Sequence, residues 1–391
     1  MNVPLLDLKA QYRSIKKEID ETLIRVAESQ YFILGPDVDK LEADICSYTG
    51  AKKAIGVSSG TDALLIALMA IDIKPGDEVI VPTYSFFATA GVIARLNAIP
   101  VFVDSDPVTF NIDPKQIELA ITEKTKAIVP VHLYGQSAEM DEIMAIAKKH
   151  NLKVIEDGAQ AIGVQYKDGR YVGTIGDIGC FSFFPSKNLG GFGDGGIVTT
   201  MDEQLSERLK ILRVHGGKPK YFHKIIGGNF RLDAIQAAVL SVKLPHLDSW
   251  SEKRRTNANL YTKLFIEAGL AECEGKLNLD DKNKVLLPAP VYKNETLKNY
   301  HIYNQYVIRV DKRDELIKHL KDSGIGSEIY YPVPFHKQEC FNYLMDNPFY
   351  KTINFNNADF AAAHSLALPI YPELSEEQIK YVVDSIKEFI G

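Results

Sequence analysis

From Ala54 to about residue 200, short β-rich runs alternate with helix-length amphipathic stretches, and this alternation restricts the fold more than any other feature. The runs are Ala54 to Ser58, Glu78 to Pro82, Val101 to Asp104, Lys126 to His132 and Lys153 to Asp157. The helical stretches begin near Thr61, Thr89, Pro114, Glu139 and Asp202. Apolar runs that do not alternate with polar residues read as strands buried on both faces. The chain is therefore expected to form an α/β fold, a mostly parallel sheet sandwiched by helices. Ligands bind such sheets at the carboxyl ends of the strands. Ahead of the alternation, Leu8, Tyr12, Ile15, Ile19 and Leu23 recur at helical spacing, as do Val38, Leu41 and Ile45, with Phe32-Ile-Leu-Gly-Pro36 interrupting them. Near residue 245 the pattern changes. A polar-faced helix from Leu244 to about Ala268 leads into a loop-rich stretch over 273–298. A strand follows (Tyr303 to Val310), then a helix (Arg313 to Ser323) and a final helix from Ser375 to Phe389. Ser375 and Gln378 have the spacing of a capping box. These features predict a large domain over 1–248, with an N-terminal helical segment, and a smaller α+β domain over 249–391.

Composition excludes several classes. A formal net charge of −6 over 391 residues gives no basic face for nucleic acid or a membrane surface. No apolar run approaches the roughly 18 residues of a membrane span, and the N-terminus lacks the basic-then-apolar order of a signal peptide. Cys46, Cys180, Cys273 and Cys340 are scattered without C-x-x-C spacing. They read as reduced thiols of a cytoplasmic protein, with no disulfide framework or metal site.

One lysine stands where chemistry would be expected. In Phe184-Pro-Ser-Lys-Asn-Leu-Gly-Gly-Phe-Gly-Asp-Gly-Gly196, Lys187 follows the apolar run Ile178 to Phe184 and precedes a glycine-rich turn and the run Ile197 to Thr200. It sits in a tight connection between two buried strands, where a desolvated amine becomes a Schiff-base nucleophile. A loop lysine among turn glycines is the bland alternative. Ser58-Ser-Gly-Thr-Asp-Ala-Leu64 opens a helix after the first strand. It could cradle a phosphate or be a plain N-cap supplied by Thr61 or Asp62. Phe86, after the next strand, could cover a flat ring or pack in the core. Val154-Ile-Glu-Asp-Gly-Ala-Gln160 runs a buried strand into two carboxylates. Asp157 at that depth needs a cation such as a protonated pyridine nitrogen, whereas a solvated loop start fits Glu156 better. Ser182 lies in an aromatic strand just before Lys187. Arg213-Val-His-Gly-Gly217 and Gly227-Gly-Asn-Phe-Arg-Leu-Asp233 are polar, glycine-rich loops beside apolar helices.

In this order and spacing, these residues resemble the DegT/StrS family of sugar aminotransferases, within the pyridoxal-phosphate enzymes of the aspartate aminotransferase superfamily (fold type I). The likeness also includes Phe32-Ile-Leu-Gly-Pro36, Gly76-Asp-Glu-Val79, Val131-His-Leu-Tyr-Gly135, Gly193-Asp-Gly-Gly196 and Tyr330-Tyr-Pro-Val-Pro-Phe-His336. The resemblance implies that Lys187 carries pyridoxal 5'-phosphate covalently and that Asp157 pairs with its ring nitrogen. It places Gln160 near the phenolic oxygen and Phe86 on the ring. Gly60, Thr61, Asp62 and Ser182 would form the phosphate cup, with Asn229 supplied by a neighbouring subunit of a homodimer. Arg231, Tyr331 and His336 would face the sugar nucleotide. The implied reaction moves the amino group of glutamate, through pyridoxamine 5'-phosphate, to a nucleotide-linked keto-hexose. Gly193-Asp-Gly-Gly196 and His132-Leu-Tyr-Gly135 lean towards a C-3 ketone, giving an amino-sugar nucleotide for a polysaccharide or glycoside.

A C-4 ketone remains the alternative acceptor. A sugar dehydratase of this family would carry histidine in place of Lys187. An amino-acid-directed enzyme would need an arginine for the α-carboxylate, with Arg213 and Arg231 as candidates. A cofactor-free regulatory protein on the same fold lacks a DNA-binding motif or basic face, and a nicotinamide-binding protein lacks G-x-G-x-x-G after the first strand.

Overall fold

The computed structural model describes residues 1–294 and 296–391. Seven strands form the main sheet: β1 (Lys53–Val57), β2 (Glu78–Pro82), β3 (Ile99–Val103), β4 (Thr125–Ile128), β5 (Lys153–Asp157), β6 (Ile178–Ser182) and β7 (Gly196–Thr200). Their order is β1-β7-β6-β5-β4-β2-β3. β7 runs antiparallel to both neighbours and the remaining pairings are parallel. The expected mostly parallel sheet is thus present, with β5 at its centre.

The apolar runs bury both faces of the strands because alternate side chains enter different cores. Val79 and Val81 of β2 and Ile155 of β5 pack with Leu64 to Leu68 of the helix Gly60–Ala70. Ile80 and Val154 point the other way, onto Met140 and Ile143 of the helix Met140–His150. Phe181 and Ile197 meet Val38, Leu41, Ala237 and Leu240, from the helices Pro36–Thr49 and Ala234–Lys243. The break at Phe32 to Pro36 is a turn in which Gly35 takes φ +83° before Pro36 opens the helix.

Several bounds differ from the expectation, for identifiable reasons. β3 begins at Ile99 and includes Pro100, which an edge strand tolerates. The run expected to reach His132 stops at Ile128, shortly before Pro130, although His132 N still donates to Asp157 O at 3.0 Å. The strand expected from Tyr303 begins at Tyr306, since Tyr303 has φ +44°.

A second sheet, β10-β9-β8, is antiparallel and comprises β8 (Val285–Leu286), β9 (Tyr306–Val310) and β10 (Ser365–Leu368). Its core joins Tyr306, Ile308 and Leu366 to Tyr261 and Phe265 of the helix Leu247–Glu267 and to Ile379, Val382 and Ile386 of the helix Glu376–Ile390. The loop-rich stretch over 273–298 lies between these elements, with Glu295 outside the described residues. Val3 belongs to this second core, and its N–H donates to Gly324 O at 2.9 Å. We propose that the chain divides into two domains near residue 248, with its first residues reaching back onto the smaller one. Within the smaller part, Arg254 fastens two segments to the helix Leu247–Glu267, donating to the carbonyls of Tyr303 (3.0 Å), Asn304 (3.4 Å) and Ile370 (2.8 Å).

The expected capping box is formed: Ser375 Oγ accepts from Gln378 N at 3.2 Å, and Gln378 Oε1 accepts from Ser375 N at 3.0 Å. Ser375→Ala should lower stability by about 1 kcal/mol in denaturant unfolding, with the kinetic constants unchanged.

Candidate active site

The strands β1, β2, β5 and β6 end at one edge of the sheet, and the segments leaving them carry the candidate residues. Asp157 is the last residue of β5 and is buried. Its Oδ2 accepts from Thr89 Oγ1 at 2.8 Å and its Oδ1 from Ala159 N at 3.1 Å. Among the described residues it makes no ion pair. Burial raises its pKa, opposed by the Thr89 and Ala159 hydrogen bonds and by Lys187 nearby.

Lys187 lies in the connection between β6 and β7, which is drawn tight by Lys187 N to Phe184 O and Gly191 N to Phe183 O, both 2.8 Å. The residue keeps a partly open surface, yet protein atoms crowd the amine. This desolvation lowers its pKa to about 8, with Asp157 pulling the other way. Its amine makes no hydrogen bond among the described residues. The bland alternative of a solvated loop lysine does not describe this environment. Asn188 anchors the connection, donating to Ile302 O at 3.1 Å and accepting from Asn304 Nδ2 at 2.6 Å.

The turn after β1 meets the end of β6. The helix Gly60–Ala70 is capped by Ser59, not by Thr61 or Asp62, because Ser59 Oγ accepts from Asp62 N at 3.0 Å. The Asp62 carboxylate is held by Ser58 Oγ (2.7 Å) and Ser59 Oγ (3.1 Å). The N–H groups of Gly60 and Thr61 have no acceptor within the helix. A Cβ on Gly60 would lie 2.6 Å from Ser182 Cβ, so only glycine lets the helix start approach that serine. Ser182 is half-buried at the end of β6, and its Oγ accepts only a long 3.3 Å bond from Phe184 N.

The remaining candidates form two groups. Gln160 is buried; its Oε1 accepts from Tyr134 N at 2.6 Å and its Nε2 donates to Tyr331 Oη at 3.1 Å. Tyr331 packs against Phe86, ring centroids 6.1 Å apart, and burial pushes its phenol well above the ordinary range. Phe86 itself is 56% exposed, a large apolar side chain left open to solvent. Asn229 and Arg231 lie on a segment bridged to the end of β1 through Val57, lining a cavity of about 390 Å³ with Ile33, Ser58 and Asp194. The buried Nε of Arg231 has no partner among the described residues.

His336 is held by protein on both sides of its ring. Thr83 Oγ1 accepts from His336 N at 3.2 Å and sits 2.8 Å from Nδ1, while Nε2 lies 3.1 Å from Asp359 Oδ1. Its ring stacks on Phe355 at 4.1 Å, and burial lowers its pKa to about 4. Arg213 is buried in an ion pair with Glu42 (2.5 Å) and a bond to Gly56 O (3.1 Å). Those contacts leave it unsuited to clamp a carboxylate.

Glu156 is a correction. It is fully buried, not a solvated loop start. Its carboxylate accepts from Gly173 N (2.7 Å), Ile175 N (2.8 Å), Gly176 N (2.6 Å) and His132 Nε2 (2.9 Å). Hydrogen bonds to a charged group contribute about 1.5–3 kcal/mol each, enough in number to offset the desolvation of one anion. Ala138 N donates to His132 Nδ1 at 3.0 Å, so the imidazole proton is on Nε2, facing Glu156. Thr89, Tyr134 and the Glu156–His132 pair are site neighbours that sequence reasoning missed. The available signals were a hydroxyl at the end of Pro82-Thr-Tyr-Ser-Phe-Phe-Ala-Thr89 and the stretch Val131-His-Leu-Tyr-Gly135, to whose residues no site role was given.

Residues 13–387 match the DegT/DnrJ/EryC1/StrS aminotransferase family. The chain belongs to this family. It is 53% identical over 389 residues to the "pleiotropic regulatory protein" of Geobacillus stearothermophilus, covering 100% of this chain and 99% of that protein. It is 42% identical over 385 residues to the UDP-N-acetyl-3-dehydro-alpha-D-glucosamine 3-aminotransferase of Acidithiobacillus ferrooxidans, covering 98% and 97%. Among solved structures it resembles DesV of S. venezuelae in complex with a ketimine intermediate: TM-score 0.88, 38% identity, 100% of this chain and 98% of that one. DegT/StrS aminotransferases depend on pyridoxal phosphate.

The site fits that cofactor. The helix start at Gly60, with N–H groups free of intrahelical acceptors, approaches Ser182 as only glycine allows, a buried carboxylate without an ion pair suits a ring cation, and an unbonded amine suits a carbonyl. Adduct formation between the apoprotein and pyridoxal phosphate should accelerate with pH up to about 8 and then level off, followed by stopped-flow absorbance. A rate still climbing at about pH 10, the range of an ordinary lysine, would contradict this environment.

Proposed function

We propose that this aminotransferase moves the amino group of glutamate to a nucleotide-linked keto-hexose with its ketone at C-3, making an amino-sugar nucleotide for a polysaccharide or glycoside. The observation that carries the reading is the pairing of a desolvated Lys187 amine with a buried, ion-unpaired Asp157 at the strand ends. The activity named for the A. ferrooxidans relative supports a C-3 ketone. Glutamate is the donor implied by the family resemblance.

Bound pyridoxal phosphate supplies an aldehyde that condenses with amines and a ring that accepts electron density from the carbon losing a proton. The protein's part is placement and proton transfer. Gly60 and Thr61 N–H groups with Ser182 Oγ would hold the phosphate, and Asp157 would keep a proton on the ring nitrogen. Phe86 would cover the ring, and Gln160, hydrogen-bonded to Tyr331, would stand near its phenolic oxygen. With a pKa near 8, the Lys187 amine would be able to take a proton from the donor's α-carbon near neutral pH and deliver it to the former aldehyde carbon, on the far side of the shared nitrogen. In the second half-reaction the same group runs this transfer in reverse on the sugar.

Asn229 and Arg231 would act in a homodimer, Asn229 reaching the phosphate of the neighbouring subunit and Arg231 the sugar nucleotide. Tyr331 would meet the substrate directly, while His336, hydrogen-bonded through Nδ1 to Thr83 and with Nε2 close to Asp359, would shape the pocket by holding its loop against Thr83. The enzyme would work in the cytoplasm; no described helix is long and apolar enough to cross a membrane. Of the two arginines weighed for an α-carboxylate, Arg213 is spent on Glu42, which leaves Arg231.

The test is a panel of nucleotide-linked 3-keto and 4-keto hexoses assayed with glutamate for release of 2-oxoglutarate. Turnover of the 3-keto compounds is expected. Rapid turnover of a 4-keto compound alone would overturn the C-3 assignment.

A further inference from the structure

Asp157 must remain ionised to hold a proton on a ring nitrogen, yet it is buried and has no ion-pair partner among the described residues. An ionised carboxylate only accepts hydrogen bonds. Thr89 Oγ1, 2.8 Å from Oδ2, therefore donates to it, and Ser85 Oγ, 3.2 Å from Thr89 Oγ1, then donates to Thr89. Both hydroxyls are buried, so water cannot replace them readily. The direction of this two-hydroxyl chain is fixed by the charge at its end. If Asp157 took up a proton, its O–H could donate back to Thr89 and the chain would reverse.

We propose that Thr89, backed by Ser85, is a positioning residue that keeps Asp157 ionised and aimed, and so sets the lower pH limit for binding pyridoxal phosphate. This rests on the reading of Asp157 as the partner of the ring nitrogen. The side chain enters from the start of the helix Ala88–Arg95, while Ala159 N holds the other carboxylate oxygen from the chain after β5. The other groups that face Asp157 do not duplicate this role. Lys187, from the connection after β6, favours the ionised form, but its amine is the group the cofactor takes up. His132, after β4, accepts from Ala138 N at Nδ1 and directs its one ring proton to Glu156, so it brings no donor to Asp157. Tyr331 and Cys180 are held protonated, in part by Asp157 itself. Glu156, the adjacent residue on β5, is committed to its own four donors.

The test measures the affinity of the purified apoprotein for pyridoxal phosphate from pH 5 to 9 by absorbance titration, for wild type, Thr89→Val, Thr89→Ser and Ser85→Ala. Thr89→Val keeps the shape and removes the donor. Its acid limb should move up by roughly one pH unit, weakening binding about tenfold on that limb with little change at pH 9. Thr89→Ser should restore the wild-type curve, and Ser85→Ala should shift it the same way by less. A Thr89→Val curve that overlies wild type, or lies below it by the same factor at every pH, overturns the proposal. If Thr89→Val does not fold, a Ser85→Ala curve identical to wild type does so. A wild-type protein that binds no pyridoxal phosphate defeats the function assignment itself, a result distinct from either.

Discussion

A carboxylate sits at the carboxyl end of the central strand with no cation in contact, and the structure around it makes that placement tolerable. Asp157 is held through its main chain to Pro130 and His132 and through its side chain to Thr89 and Ala159. One residue earlier and on the opposite face of the strand, Glu156 is saturated by three backbone N–H groups and His132. Two adjacent buried acids thus have opposite fates. Glu156 is satisfied within the protein and fastens the 173–176 loop. Asp157 keeps capacity to bind something more, and burial raises its pKa. The parallel sheet supplies the geometry for both, by bringing the ends of β1, β2, β5 and β6 to a single edge.

Burial alone does not identify a reactive amine, as a second lysine shows. Lys243 is buried and its pKa is also lowered to about 8. Its amine donates to Gly190 O at 2.6 Å and lies 4.9 Å from the centre of the Phe192 ring. Seven residues earlier on the same helix, Gln236 Oε1 accepts from Phe192 N at 2.7 Å. Lys243 and Gln236 thus hold the glycine-rich connection from one side, and Asn188 ties it to Ile302 and Asn304 from the other. Between these anchors Lys187 is left without a hydrogen bond. The distinction between the two lysines is one of commitment, since their desolvation is comparable.

Much of this was legible in the sequence, because it followed from patterning. Continuous apolar runs gave a sheet buried on both faces, and the glycine-rich stretch after Ile178 placed Lys187 in a tight connection between β6 and β7. The spacing of Ser375 and Gln378 announced a cap that the structure forms. Failures came where a decisive partner is distant in sequence. Glu156 read as solvated because its donors at 173–176 lie 17 to 20 residues on, in a loop with no marked pattern. Arg213 could be weighed as a carboxylate clamp because nothing local pointed to Glu42, 171 residues earlier. The helix cap fell to Ser59, not Thr61 or Asp62, a choice among adjacent polar residues that backbone geometry decides. Thr89 read as a helix start, which it nearly is; that its hydroxyl reaches Asp157, 68 residues away, only the folded chain reveals.

The claim on which the rest depends is that Lys187, and no other desolvated lysine, joins the cofactor. Borohydride reduction of the protein loaded with pyridoxal phosphate, followed by peptide mapping, tests it directly. The account predicts a phosphopyridoxyl group on the peptide containing Lys187 and none on the peptide containing Lys243. Label on Lys243, or a fully loaded protein with Lys187 unmodified, would contradict it.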